Sequence, residues 1–249
     1  MRHLYVRKER KRGLNQLPLG SDPRSDILRE VQNRLIAEFG RVAKRPAEHH
    51  DPLWVLVQGV IGARTKTPVS NAATDRLLAR YKSWEAVANV PVEDLTEELR
   101  YQTYPAQSAQ RLKACLTSLI EMRGAADLRH LSNLPTDEAM AWLEMLPGVG
   151  RKISAGVMNV GTFNRRATVI DGHHKRVMQR LRLVPARSDT NRVFEALEPI
   201  VPDEWSAETM DEHHLLVKKL GQTYCRPTEP KCARCPMLDL CPTGQERMS

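Results

Sequence analysis

Leu146-Pro147-Gly148-Val149-Gly150-Arg151-Lys152 sits between a helical pattern that ends near Met145 and another that starts near Lys152. Glycine tolerates positive φ and the close approach of a second backbone, so Gly148 and Gly150 shape a tight hairpin between two helices. The first N–H groups of the second helix then point outward with the positive end of its dipole, which suits a phosphate oxygen. Taken by itself, a Pro-Gly-x-Gly turn is equally readable as a plain helix–helix connection, since short motifs match by chance.

Outward from the hairpin, apolar residues recur at helical spacing along nearly the whole chain. The pattern predicts helices over 26–39, 52–61, 68–81, 83–88, 91–99, 106–123, 136–144, 152–160, 188–200 and 206–220, with another after Asp171. Ser25 is the expected N-cap of the first, and Pro52 opens the second at its first turn. The β-branched run at 167–170 is too isolated to build a sheet. The fold class expected is therefore all-α. Trp54, Leu56, Leu116, Trp142 and Cys115 are read as core.

The chain has 249 residues, 41% of them hydrophobic, enough for one large or two small cores. No apolar run approaches the ~20 residues of a membrane span. Residues 1–13 are basic and not apolar, so no secretory leader is expected and an intracellular, cytoplasmic protein is. A net charge of +8 favours a polyanionic partner such as nucleic acid. Arg2, Arg7, Lys8, Arg10, Lys11 and Arg12 crowd the start against Glu9 alone, and residues 1–24 are expected to form a disordered arm with sequence-independent phosphate affinity.

Cys225, Cys232, Cys235 and Cys241 stand six, two and five residues apart in a loop rich in Lys, Arg and Pro. Four thiolates select soft metals, zinc or an iron–sulfur cluster. Spacing alone leaves both open, although one CxxC pair where zinc ribbons show two leans toward a cluster. Disulfides are disfavoured without secretory context.

Nineteen residues beyond Lys152 stands Asp171, in Val169-Ile-Asp-Gly-His-His174. An acid beside a glycine at a segment end is normally a helix cap. Yet a lysine beside an anion-binding turn, with a later acid, supplies the parts for amine chemistry on a sugar. A deprotonated amine attacks an electrophilic carbon, while a carboxylate accepts its proton or stabilises positive charge.

In this order, the hairpin, the Val169–His173 segment, the stretch from His213 to Cys225 and the four-cysteine loop resemble endonuclease III, a DNA glycosylase family of the helix–hairpin–helix superfamily. The resemblance covers roughly residues 25–245 and is far more specific than any one motif. It implies two helical domains, 46–166 with the hairpin and 25–45 joined to 167–249, with duplex DNA in the cleft between them and a [4Fe–4S] cluster on Cys225, Cys232, Cys235 and Cys241. It also implies a monomer that excises a damaged or mismatched base and then cuts the strand by β-elimination. Lys152 matches the Schiff-base lysine and Asp171 the catalytic aspartate. Gly148, Gly150 and Arg151 would hold DNA at the hairpin, and Arg226 and Lys231 would face phosphate from the cysteine loop.

The departures bear on substrate. The family's Ser-Ala-Gln-Ala-Thr-Asp is here Gly62-Ala-Arg-Thr-Lys-Thr67, so Arg64 replaces the glutamine that fills the space of the flipped nucleotide and Thr67 replaces a pocket acid. Tyr104 stands in the region of the opposite-strand wedge, and Asp-Thr-His has become Asp171-Gly-His173. His213 and His214 could suggest metal ligation, but with four thiolates completing a site they are expected to pack or hydrogen-bond near the surface of the cluster domain. His173 is read either as a core or phosphate-bonding residue or as support behind Asp171.

Overall fold

The computed structural model describes residues 22–42 and 49–249. Most of the basic arm and the 45/46 boundary lie outside the described residues. The rest is helical: α1 (Pro23–Phe39), α2 (Pro52–Ile61), α3 (Thr67–Tyr81), α4 (Trp84–Asn89), α5 (Val92–Glu98), α6 (Pro105–Arg123), α7 (Thr136–Leu143), α8 (Arg151–Val160), α9 (Gly172–Arg180), α10 (Thr190–Leu197), α11 (Ala207–Thr223) and α12 (Pro242–Met248). There is no strand among the described residues. Residues 167–170 run extended, and an isolated parallel bridge pairs His50 with Gly161.

Proline sits in the first turn of α1, α2, α3, α6 and α12, where the N–H it lacks would have no helical acceptor. This corrects the expected start of α1. The cap is Asp22, whose carboxylate accepts the Arg24 N–H at 2.9 Å, and Ser25 is buried inside the first turn. Helix α12 was not foreseen. It follows Pro242 and is capped by the Cys241 sulfur, which accepts the Gly244 N–H at 3.3 Å.

The apolar residues form two clusters. The first is built from α2 through α8, the second from α1 and α9 through α11 with Met237. Ala167 and Val169 belong to the first and Ile170 to the second, so the extended segment passes between cores just before Asp171. Cys115, Leu56, Leu116 and Trp54 are buried as expected, while Trp142 packs partly buried at the edge.

Helix α2 lies against α8 so closely that a Cβ on Gly59 would sit 2.9 Å from Ile153, which fixes the turn carrying Lys152. Helix α11 packs against α1, α8 and α9 and is therefore buried on almost every side. His213 and His214 hydrogen-bond as expected, to Gln32 Oε1 at 3.0 Å and the Val169 carbonyl at 2.9 Å, but at 4% and 8% exposure they lie deeper than the surface. Buried Glu212 accepts from Gln32 Nε2 at 3.2 Å and from the Val42 N–H at 3.0 Å, tying α11 to α1 and the chain beyond it.

Candidate active site

The hairpin is rigid and its outer face is unfinished. Gly148 has φ +80°, a conformation that favours glycine, whereas Gly150 is extended at φ −112°. A Cβ on Gly150 would meet nothing within 4 Å, so neither positive φ nor an internal close approach requires that glycine. Glu144 accepts from Ser154 Oγ at 2.6 Å and pairs with Arg151 at 3.1 Å, clamping α7 to α8. The Arg151 guanidinium also lies over the Phe194 ring. Among the described residues the N–H groups of Gly148, Gly150, Arg151 and Lys152 have no acceptor, and Gly150 supplies no side-chain cap.

Lys152 stands in the first turn of α8, at the rim of a cleft of about 840 Å³. The residue is exposed to that cleft, yet crowding around its amine depresses the ammonium pKa below the usual 10.5. Burial is the main cause, Lys218 adds to it, and Asp171 partly offsets it. A lysine tuned this way offers more neutral amine at physiological pH.

Asp171 lines the same cleft as the N-cap of α9. Its Oδ1 accepts the N–H groups of His173 at 2.8 Å and His174 at 2.9 Å, while Oδ2 has no hydrogen-bond partner among the described residues. Both readings of this acid therefore hold together: one oxygen caps, and the other is left for the cleft. Burial pushes its carboxyl up, but neighbouring histidines and the His174 N–H outweigh it, so the net shift is downward. Burial itself holds His214 neutral, with its pKa pushed down to about 3. The two bonded N–H groups, at the positive end of α9, favour the ionised acid.

Behind Asp171, His174 and His214 both donate from Nδ1 to the Val169 carbonyl, at 3.0 and 2.9 Å. Sharing that acceptor fixes both tautomers and pins the segment that delivers Asp171. His173 lines the cleft, its Nδ1 accepting from Arg176 at 3.1 Å.

The cleft wall carries Arg64, Lys66, Lys152, Lys218 and Lys219 against Asp171 alone, a field suited to a polyanion. A narrower pocket of about 160 Å³ opens off it, sharing Gln58, Gly59, Thr67, Lys152, Leu215 and Lys218. Lys218 Nζ donates to Thr67 Oγ1 at 2.9 Å. Sequence reasoning missed Lys218, although Asp211, His214, Lys218 and Gln222 form a polar stripe along α11 at helical spacing.

Exposed Arg64 adopts φ 58°, and its carbonyl accepts from Thr103 Oγ1 at 3.0 Å. The Thr103 N–H donates to Thr65 Oγ1 at 3.0 Å. The Arg64 loop is thus bonded to the one presenting Tyr104, which is 45% exposed. Between Tyr101 and Tyr104, Gln102 is buried with neither end of its amide bonded, a feature the sequence did not signal.

The four C-terminal cysteines are free thiols around one cavity, with Arg180 on its wall. Arg180 donates to Cys225 Sγ at 3.2 Å and to the Arg226 and Pro227 carbonyls at 2.7 and 3.1 Å. Arg226 and Lys231 are exposed on that loop.

Comparison with known proteins matches this geometry. A family model described as HhH-GPD superfamily base excision DNA repair protein covers residues 57–203. Endonuclease III of Bacillus subtilis (strain 168) is 30% identical over 200 residues, spanning 80% of this chain and 84% of the relative. A solved trapped endonuclease III–DNA covalent intermediate superposes with a TM-score of 0.73 at 26% identity, covering 90% of this chain and 99% of that one. A thermostable thymine-DNA glycosylase shares the fold, with a TM-score of 0.70 at 21% identity over 90% of this chain and 97% of that one.

Proposed function

Because the chain belongs to the HhH-GPD superfamily of base excision DNA repair proteins, we infer how its own residues divide the work. The protein is a base-excision DNA glycosylase with abasic-site lyase activity, of the endonuclease III kind. The observation that carries the residue assignment is the pairing, in one cationic cleft, of an amine with a depressed pKa and an ionised acid with a free oxygen.

In this reading duplex DNA lies along the cleft and one nucleotide is extruded so that its sugar sits between Lys152 and Asp171. As the glycosidic bond breaks, its electron pair leaves with the base and positive charge gathers at C1′, where Asp171 stabilises it. The neutral Lys152 amine donates its lone pair to C1′ and gives up a proton, for which Asp171 is the acceptor. The remaining nitrogen lone pair then breaks the C1′–O4′ bond, O4′ taking back the proton from Asp171 as the sugar ring opens. The iminium so formed acidifies the 2′ hydrogen, and loss of that proton expels the 3′ phosphate.

The unbonded N–H groups from Gly148 to Lys152 bind a phosphate, with Gly150 leaving room for it. Arg64 fills the space left by the extruded nucleotide and Tyr104 stacks on the opposite strand, the bonded loops moving as one. Arg226 and Lys231 contact flanking phosphates. We read the two apolar clusters as the two domains, the second reached at Ile170, and the enzyme as acting on DNA as a single chain.

The cysteine loop fits a [4Fe–4S] cluster. All four cysteines line one cavity, and an all-thiolate donor set suits the irons of a cluster. Cys225, Cys232, Cys235 and Cys241 would hold the cluster, which when bound braces the loop carrying Arg226 and Lys231. Arg180 positions the same loop through its carbonyl contacts.

Borohydride reduction during incubation with abasic DNA tests the assignment. Wild type should give a covalent adduct and Lys152→Ala none. Absence of the adduct in wild type would make a monofunctional glycosylase the better description.

A further inference from the structure

Lys218 stands where the narrow pocket meets the cleft, and the family assignment gives it no role. It reaches from α11 to the first residue of α3, where its ammonium donates to Thr67 Oγ1 at 2.9 Å. An ammonium has three N–H donors, so two remain, and it forms no ion pair with any described residue. Thr67, accepting from Lys218, still has its own hydroxyl hydrogen to give. Together they place three available hydrogens where the cleft opens into the narrow pocket, whose wall Asn71 and Asp211 also line. Gln58, the neighbouring amide at this entrance, gives one of its two Nε2 hydrogens to Ser70 Oγ at 2.9 Å.

We propose that Lys218, anchored by Thr67, is the residue that selects the base, favouring one that presents a carbonyl or carboxylate oxygen to the pocket entrance over one that presents an amino group. A carbonyl oxygen there completes the ammonium's shell with a charge-assisted hydrogen bond, whereas an amino group sets donor against donor. Lys218 also lies near enough to Lys152 to depress its ammonium, so base selection and the nucleophile share one cationic neighbour. This proposal rests on the glycosylase reading above, and it goes beyond it by assigning the selectivity to residues outside the Lys152–Asp171 pair.

The experiment measures single-turnover excision from duplexes carrying matched bases that differ by carbonyl against amino substitution: 5-hydroxyuracil and 5-hydroxycytosine, uracil and cytosine, hypoxanthine and adenine. The readout is the rate ratio within each pair, which is insensitive to general losses of DNA affinity or of Lys152 reactivity. Wild type should favour the carbonyl member in the pairs it processes, and Lys218→Met should shrink that ratio by roughly tenfold or more, as expected for losing a hydrogen bond from a charged donor. Thr67→Val, which keeps the side-chain shape and removes the anchor, should shrink it less. A panel in which no carbonyl member is excised faster than its partner, or a ratio unchanged in Lys218→Met, overturns the proposal. Covalent trapping of wild type on abasic DNA needs no base, so its failure would strike the glycosylase–lyase reading and not this one.

Discussion

Two helices point their first turns into the cleft, and they are finished in opposite ways. Helix α9 is closed, because Asp171 caps it with two N–H bonds and its negative charge sits at the positive end of the dipole. Helix α8 is open: glycine stands at its cap, its leading N–H groups are free, and Arg151 and Lys152 place positive charge where the dipole disfavours it. The closed end stabilises an anion and the open end destabilises a cation. One arrangement therefore favours an ionised acid, an amine that sheds its proton more readily and, in the reading above, a place for phosphate, at the cost of a less stable α8.

The sharpest way to break this comparison is to neutralise the closed end. Asp171→Asn keeps the side-chain oxygen that caps α9 and removes the charge, so folding should be nearly unaffected. Single-turnover base excision should nevertheless slow by on the order of 10²-fold or more, while binding to abasic duplex changes far less. Normal excision by this variant would leave Asp171 a cap only.

Closing the open end is the reciprocal change. Gly150 already has the extended backbone of a capping residue, and a side chain there meets no atom within 4 Å. Gly150→Asp should therefore stabilise the free protein by up to about 1 kcal/mol while weakening DNA binding by roughly tenfold, since a carboxylate takes the place of phosphate. Thermal melting and a binding isotherm on the same sample check both signs. If stability and affinity move together, the open cap is not the phosphate site.

The open end was legible in the sequence and most of its surroundings were not. Glycine and proline act locally, so Leu146–Lys152 disclosed the hairpin, and a count of cysteines disclosed the C-terminal loop. Burial on α11 depends on three helices packing around it, and no periodicity within 206–220 records that, so the depth of His213 and His214 was not legible. Lys218 meets Thr67 across 151 positions, and Gln102 lies buried between two exposed tyrosines for reasons of loop packing. Asp171 was readable because its capping and catalytic roles use the same local pattern. Its free oxygen was visible only once the partners of the other could be counted.

Smaller effects sharpen the contrast within the hairpin and beyond it. Gly148→Ala should cost about 1–2 kcal/mol from its φ of +80°, whereas Gly150→Ala should cost little stability, as chemical denaturation would show. Equal losses at both positions would contradict the assignment of strain to Gly148. Lys231→Ala should leave folding and excision intact and lower the salt dependence of DNA binding by about one counterion, measured as the slope of affinity against ionic strength.

The pH dependence of covalent trapping on abasic DNA tests the central claim most directly. Trapping requires the neutral amine, so its rate rises as Lys152 loses its proton. With burial and Lys218 lowering that pKa and Asp171 raising it, wild type should reach its midpoint below 10.5 and Asp171→Asn at a lower pH still. A midpoint at the ordinary lysine value in both proteins, or one that moves upward in Asp171→Asn, would contradict the pairing of a tuned amine and an ionised acid across the cleft.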